Sequence, residues 1–382
     1  MSKLRMPGLV RIIWFVSWLA VAMAAAGFEF DRASKRNSGL ARYVPSMFRG
    51  AAFEATANAA YARGANDEGV RLAREMVLRR PIPAEGLSLV ALGALRNGDD
   101  DKALKALLLS AARGWRDSFT QATVARLAMN GGEWEVAAQR IMAMWRKGDT
   151  GDELNRLTTE LLAQPEGLAA FQFLVGREAA WTNPLLRLAA VTLSPKAMAS
   201  LAATFRDRGA SINCPGLTDT AGAIIRAGYG PTIEALWSGA CGLQGQAAKR
   251  NAGFVNGDDD ASGPFGWKYP VAAALSREFV EHEGVSAIRY ENSDPFQKVV
   301  ASRYALMRPG AHDIVFNGRV EGASPKFQVI CFVQEKQIKF AEFTIGSQAT
   351  RINIPIGCES QLIKIQAGRG RGELAAVQMS ME

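Results

Sequence analysis

Four carboxylates, Glu281, Glu283, Glu291 and Asp294, lie within a stretch of fourteen residues. They are the nearest approach in this chain to the carboxyl pair that a glycosidase sets on either side of a sugar. In an extended segment Glu281 and Glu283 share one face, and like charges side by side raise one pKa. The spacing supplies no partner across a cleft, so the expected state is a solvated strand edge and turn. A polysaccharide-modifying hydrolase or lyase built on these carboxylates is the alternative function. The two histidines, His282 and His312, flank expected strands with no cysteine or acidic array nearby, and surface or edge positions are expected for both. Asp258-Asp259-Asp260 offers oxygen ligands on a turn but not the alternating spacing of a calcium loop. The chain carries no nucleophile elbow, phosphate loop or zinc-protease helix motif. The expectation is a non-enzymatic protein with no metal and no cofactor.

Flat aromatic rings could do a different chemistry, stacking on the apolar face of a pyranose while nearby amides and carboxylates fix its hydroxyls. The set Phe265, Trp267, Tyr269, Tyr290, Phe296 and Tyr304 is placed for it, and Trp267 and Tyr269 share a face if extended. Trp267, Tyr269 and Phe296 are the candidate glycan contacts. The competing role is the interior of a β domain, which is where an aromatic at a strand start usually goes. Tyr304, inside a YALM run, is expected in that interior.

All four cysteines, Cys214, Cys241, Cys331 and Cys358, fall in the last 170 residues. An even count in an exported chain argues for disulfides, and three connectivities are open. Sequential pairing is expected, because Cys331 lies in a predicted strand and Cys358 just before another. No pair has the close spacing of a structural zinc site.

The elements that must position these residues fall into two regions. After the turn-rich segment NGDDDASGPFG come short runs of period two: REFVEH, VSAIRYE, YALM, HDIVFN, FQVICFV, IKFAEF, RINIPI, QLIKIQ and LAAVQM. Eight or nine such strands predict an antiparallel β-sandwich of jelly-roll kind. Upstream, Gly64, Gly98 and Gly132 recur every 34 residues. Ala57, Ala91 and Ala125 precede them by seven positions, and Ala60, Ala94 and Ala128 by four; Gly69, Ala103 and Ala137 follow by five. A period of 34 with columns of small residues predicts stacked helical hairpins whose helices cross closely. Short amphipathic stretches continue the helical pattern to about residue 241, out of register. The fold class expected is α then β: an α-solenoid followed by a β-sandwich.

The three units, AFEATANAAYARGANDEGVRLAREMVLRRP, SLVALGALRNGDDDKALKALLLSAARGW and TQATVARLAMNGGEWEVAAQRIMAMWRKG, resemble tetratricopeptide repeats over residues 50–150. Against that pattern the early aromatic of the first helix is weak, and the closing proline appears only as Pro81. The resemblance implies a concave groove that takes a peptide or helix of another protein. Asn58, Arg63, Asn97 and Arg126 are polar positions that such a groove could use. A second resemblance rests on PFGW, ENSDPFQ, YALMRPGAHDIVF, FQVICFV and INIPIGCESQLIKI. Their order is similar to a carbohydrate-binding-module-like domain in envelope proteins of polysaccharide-producing proteobacteria. There it follows an anchored helical-repeat region and accompanies exopolysaccharide machinery.

The start of the chain sets Lys3, Arg5 and Arg11 before an uncharged stretch, Ile12–Phe28. This is an export segment: Ala22-Met23-Ala24 suits cleavage, whereas Trp14 and Trp18 and the length of the run favour an uncleaved anchor. The body is therefore expected in the periplasm or cell envelope, anchored in the inner membrane by residues 12–28. The net charge of +8 misleads as a nucleic-acid signal: residues 1–50 hold eight Lys/Arg against two Asp/Glu, so +6 of it lies there. No nucleic acid is expected, and the stretch Arg32–Arg49 is read as a solvated linker or a contact to anionic lipid. The expected organisation is a leader at 1–30, a linker at 31–48, a tetratricopeptide-like region at 49–245, a linker at 246–263 and a β domain at 264–382. The expected partners are an envelope protein and polysaccharide.

Overall fold

The structure, a computed structural model, describes residues 8–176, 181–241, 254, 260–282, 285–322, 324–333, 336–345 and 350–381. Contacts divide the chain into two compact units, Met1–Leu157 and Thr158–Glu382.

The first unit is helical. Helix α1 (Gly8–Ser34) is long and apolar enough to cross a membrane over Val10–Ser34, with a mean hydropathy of 1.8. Its final turns are fastened to the body of the unit. The Asp31 carboxylate accepts from the backbone N–H groups of Gly50, Ala51 and Ala52 at 2.9, 2.8 and 2.8 Å. Those are the orphan donors at the start of helix α2 (Ala52–Ala62), so a residue twenty positions upstream caps it. Phe28 meets Phe48 edge to face at 5.3 Å beside this joint.

Three helical hairpins come next: α2 with α3 (Asn66–Arg79), α4 (Ala84–Arg96) with α5 (Asp100–Ala112), and α6 (Ser118–Asn130) with α7 (Trp134–Lys147). The glycine period has a direct cause. Gly64, Gly98 and Gly132 adopt φ of +78°, +71° and +74°, where an L side chain is strained. Just after them, the N–H groups of Ala65, Asp99 and Glu133 donate to the carbonyls of Ala60, Ala94 and Ala128 at 3.0, 2.9 and 2.8 Å. The same helix-ending motif thus closes the first helix of each unit. Ala57, Ala91 and Ala125 are fully buried. Ala60 and Ala94 are buried as well, whereas Ala128 is half-buried.

Gly69, the glycine in a column otherwise of alanine, owes its identity to Tyr61. A Cβ there would lie 2.4 Å from the tyrosine ring. Tyr61 also donates its hydroxyl to the Leu89 carbonyl at 2.9 Å, reaching from the first hairpin into the second. One and two periods later Leu95 and Met129 take its place, and the column can hold Ala103 and Ala137.

Helix α8 (Asp152–Leu162) carries the division between the units. The second unit continues with α9 (Pro165–Leu174), α10 (Thr182–Thr192), α11 (Pro195–Asp207), α12 (Cys214–Ile224) and α13 (Gly230–Ala240). A disulfide joins Cys214 at the start of α12 to Cys241 just past α13. Helices α11 and α13 cross tightly: a Cβ on Gly239 would lie 2.8 Å from that of Ala202.

Nine antiparallel strands complete the chain among the described residues: β1 (Leu275–His282), β2 (Val285–Asn292), β3 (Lys298–Ala305), β4 (Gly310–Gly322), β5 (Lys326–Val333), β6 (Lys336–Thr344), β7 (Thr350–Ile354), β8 (Ser360–Ala367) and β9 (Gly370–Met381). They form a five-stranded sheet in the order β1-β2-β9-β4-β7 and a four-stranded sheet in the order β3-β8-β5-β6. One buried cluster draws on both, with Ile288, Ile314, Ile352 and Leu374 from the first and Val300, Phe327, Val329 and Ile363 from the second. The Cys331–Cys358 disulfide ties β5 to the turn before β8, and no described cysteine is free. Helices first and antiparallel sheets second is the order the sequence predicts.

Candidate functional site

The aromatic candidates separate by burial. Trp267 is 8% exposed and lies in the shared cluster, its ring 5.0 Å from that of Phe254. Arg303 lays its guanidinium 5.4 Å from the Trp267 ring, and burial lowers its pKa to about 10. The indole N–H of Trp267 and the Nε of Arg303 have no hydrogen-bond partner among the described residues. Trp267 is therefore an interior side chain, and its ring is closed to a sugar in solution. Tyr269 is half-buried and meets Phe279 edge to face at 4.9 Å; burial pushes its phenol well above the usual range. Phe296, in the turn between β2 and β3, is 74% exposed. The structure does not bring the three onto one open face. Of the rest, Phe265 and Tyr290 are buried, and burial pushes the Tyr290 phenol up to about 12. Tyr304 is half-buried, and Arg226 donates to its hydroxyl at 2.5 Å.

Of the carboxylates, Glu291 on β2 and Asp294 in the turn after it are each held by a basic partner. Glu291 accepts from Arg371 at 2.9 Å across the β2–β9 ladder. Asp294 takes a hydrogen bond from the Lys298 ammonium at 2.8 Å and another from the Phe296 N–H at 2.9 Å. These hold its carboxyl below the usual range, the opposite of what a proton donor to a leaving group needs. Glu281 is exposed on β1, and Glu283 with Asp258 and Asp259 lies outside the described residues. His312 corrects the expectation of a surface histidine. It is 3% exposed and its Nε2 bonds the Arg308 carbonyl at 2.7 Å. The reason is topological: β4 pairs with both β7 and β9, so His312 stands inside the five-stranded sheet. Among the described residues no trio of His, Cys, Asp or Glu is set to hold a metal.

The repeat-groove candidates also divide. Asn58 is exposed on α2, and Arg63 caps that helix while pairing with Glu68 at 3.2 Å. Asn97 is the helix-ending residue of α4. Arg126 opens into a cavity of about 610 Å³ between α6 and the start of α8. There Arg126 and Arg156 both pair with Glu153, and Ser118 donates to Asp149 at 2.5 Å. Phe119 and Met144 add apolar wall. This mixture of paired charge and apolar surface suits a peptide segment better than a single small ion. Sequence reasoning named Arg126 but not its partners, which come from 27 and more residues away.

No protein-family model matches the chain, and no curated protein matches it. Several solved structures share a partial likeness. One is the glycosylation-associated Gap123 complex of Streptococcus agalactiae, over 28% of this chain and 39% of that one, at 9% identity and a TM-score of 0.25. Another is the complex of accessory secretory proteins 1, 2 and 3 of Streptococcus pneumoniae, over 34% and 94%, at 5% identity and a TM-score of 0.26. A third is the CBM22-1–GH10 portion of Clostridium thermocellum xylanase 10B, over 35% and 28%, at 13% identity and a TM-score of 0.24. The matched part thus spans well under half the length of the first and third of these chains. At such scores the likeness extends to neither a shared fold nor a shared function.

Proposed function

We propose that this chain is a non-enzymatic scaffold of the cell envelope, held in the inner membrane by residues 12–28. In this reading the hairpins form a tetratricopeptide-like α-solenoid that docks a protein partner of polysaccharide synthesis or export. The two sheets form a jelly-roll-like sandwich that contacts glycan through its open aromatic positions, Phe296 first. One observation carries the reading: the same glycine-closed hairpin is built three times, and Arg126 faces an open, mixed-charge cavity at the end of that series. Repeats of this kind bury their own faces against one another and leave a continuous surface for a ligand. The two disulfides and the apolar α1 fit an exported protein.

The test is a photo-crosslinking amino acid placed at Thr123, beside Arg126, and as a control at Arg71 on α3. In cells, Thr123 is expected to give one discrete adduct with an envelope protein of the polysaccharide apparatus, lost on Arg126→Glu. Equal adducts from both positions, or none from Thr123, would refute the docking surface. Incubation of the full chain with the producer's own polymer checks the non-enzymatic reading. Chain shortening that Glu281→Gln or Glu291→Gln abolishes would overturn it.

A further inference from the structure

The loops at one end of the first two hairpins enclose a groove of about 750 Å³. Its walls bring together Lys35, Arg79, Arg80, Arg113 and Arg116, drawn from three separate stretches of sequence, against Glu85 as the one carboxylate of the lining. Two of the arginines are fixed by backbone carbonyls. Arg79 donates to Ser46 at 2.6 Å, and Arg113 donates to Pro81. Lys35, Arg80 and Arg116 have no ion pair among the described residues. Trp115 forms an aromatic wall; Arg140 covers one of its faces at 4.0 Å, yet the ring stays 47% exposed. Ile82, 83% exposed, stands beside it. Helix α4 begins in the lining at Ala84 with no side chain capping it, so its first N–H groups add to the positive field. Behind the groove lie the carboxyls of Glu54, Asp117 and Asp31. Burial first, then Glu85, raises the Glu54 pKa, while Lys35 and Arg80 lower it, so those two cations face Glu54 as well as Glu85.

The groove also has a fixed address. Lys35 follows Ser34, the last residue of α1. Arg80 lies over Gly50, with its Cδ 3.1 Å from the position of a Cβ there, at the joint that Asp31 makes between α1 and α2. Cations, an exposed tryptophan and an exposed isoleucine therefore converge where the apolar helix ends. That is the composition that meets lipid phosphates at a membrane surface.

We propose that this groove binds the phosphate of an anionic phospholipid headgroup, with Arg80, Arg116 and Lys35 as the ligating side chains and Trp115 and Ile82 against the upper acyl region. The inference rests on the reading that α1 is retained in the membrane. It goes beyond that reading in assigning the body its own lipid site.

The experiment uses the full chain in a neutral detergent, with thermal unfolding followed against added short-chain phosphatidylglycerol, phosphatidylcholine, inorganic phosphate and an oligouronate. Saturable stabilisation by phosphatidylglycerol is expected, at least tenfold tighter in apparent affinity than by phosphatidylcholine. Arg80→Ala with Arg116→Ala should weaken it tenfold or more, since neither side chain carries a structural hydrogen bond. Arg71→Ala with Arg74→Ala, which removes the same charge from the exposed face of α3, should leave it unchanged. Equal response to both lipids, or equal loss in the two double variants, overturns the site. A stronger response to oligouronate assigns the groove to an acidic polysaccharide, and an equal one to inorganic phosphate assigns it to free anion; either overturns the lipid. The intact mass of the membrane-extracted chain reports separately on α1. A chain lacking it overturns the anchor, whereas a full-length chain without lipid preference overturns the groove alone.

Discussion

Replacing Gly69 with alanine puts the repeat geometry to a quantitative test. In an open helix interior the change would favour folding by about 1 kcal/mol. Here the new Cβ would lie 2.4 and 2.6 Å from Cε1 and Cδ1 of Tyr61, so the ring must shift. It has little room to do so. Its hydroxyl is bonded to the Leu89 carbonyl at 2.9 Å, and Gly93 of α4 is open enough to admit it only because it lacks a side chain, a Cβ there falling 2.4 Å from the hydroxyl oxygen. Overpacking of this kind costs about 1–3 kcal/mol, and a strained or broken buried hydrogen bond adds about 1 kcal/mol. Gly69→Ala should therefore destabilise by about 1–3 kcal/mol after the helix gain is subtracted.

The compensating change is Tyr61→Leu, which gives the first unit the residue that the second carries at Leu95. Alone it leaves a gap and loses the hydroxyl bond, at a cost of about 2–4 kcal/mol. In that background Gly69→Ala meets no ring, reproduces the Leu95–Ala103 combination, and should stabilise by up to about 1 kcal/mol. The coupling between the two substitutions is then about 1–4 kcal/mol in favour of the pair. Urea unfolding of the full chain in neutral detergent, followed by far-ultraviolet circular dichroism, measures the cycle. Hydrogen exchange of the α2 and α3 amides localises it. If Gly69→Ala costs the same with and without Tyr61, the ring does not exclude the methyl and the account of that column fails.

Other expectations are narrower. Trp267→Ala should cost about 3–5 kcal/mol, as the loss of an interior indole does, and unchanged melting would show the ring is not part of the core. Phe296→Ala should leave unfolding within about 0.5 kcal/mol while lowering retention on a glycan array; undiminished retention removes Phe296 from the proposed site. Both disulfides close loops of 27 residues, so Cys331→Ala with Cys358→Ala should cost about 3.5 kcal/mol, and the native chain should show no free thiol in denaturant without reductant. Glu342 takes hydrogen bonds from Lys339, Gln328 and Lys326, which hold its pKa at about 2, below the ordinary 4.5. Its stabilising contribution is complete above pH 4.5 and lost as pH falls toward 2, so Glu342→Gln should flatten that part of a melting-temperature profile; an unchanged slope would place the acid sensitivity elsewhere.

What the sequence made legible was what depends on backbone geometry close in the chain. A left-handed residue ending a helix demands glycine whatever lies around it, so Gly64, Gly98 and Gly132 announced their hairpins. Period-two runs likewise overlapped each of the nine strands, although β3, Lys298–Ala305, shares only Tyr304 and Ala305 with the YALM run. Helix α12 falls within the helical pattern expected to about residue 241, although Pro215, Gly216 and Gly222 look like turn residues and no amphipathic stretch marks it by itself. In the structure Pro215 sits in the first turn, where its missing N–H costs nothing, and Asn213 caps the helix by accepting from the Gly216 N–H at 3.0 Å. Strand order was not legible at all, since no local pattern says which strand takes the middle of a sheet. His312 was misplaced for that reason, and the fate of Trp267 stayed open between core and contact until the shared cluster closed around it.

Counting charge along the chain fails in the same way, and for a reason that bears on function. The body beyond residue 50 carries only a small net charge, because its acidic and basic residues nearly balance in number. Folding sorts them: Arg79, Arg80, Arg113 and Arg116 converge with Lys35 at the end of α1, while Glu54 and Asp117 turn inward. The contacts that hold α1 there, through Gly27, Phe28 and Asp31, all lie after Ala24. The body therefore needs only the last turns of α1 for its own fold. The upstream turns leave Ile12, Trp14, Phe15, Trp18 and Leu19 each more than half exposed among the described residues. An apolar helix exposed in this way fits a signal or a membrane anchor, and in the anchor reading proposed above the lining cations Lys35, Arg80 and Arg116 would lie near the end of the span.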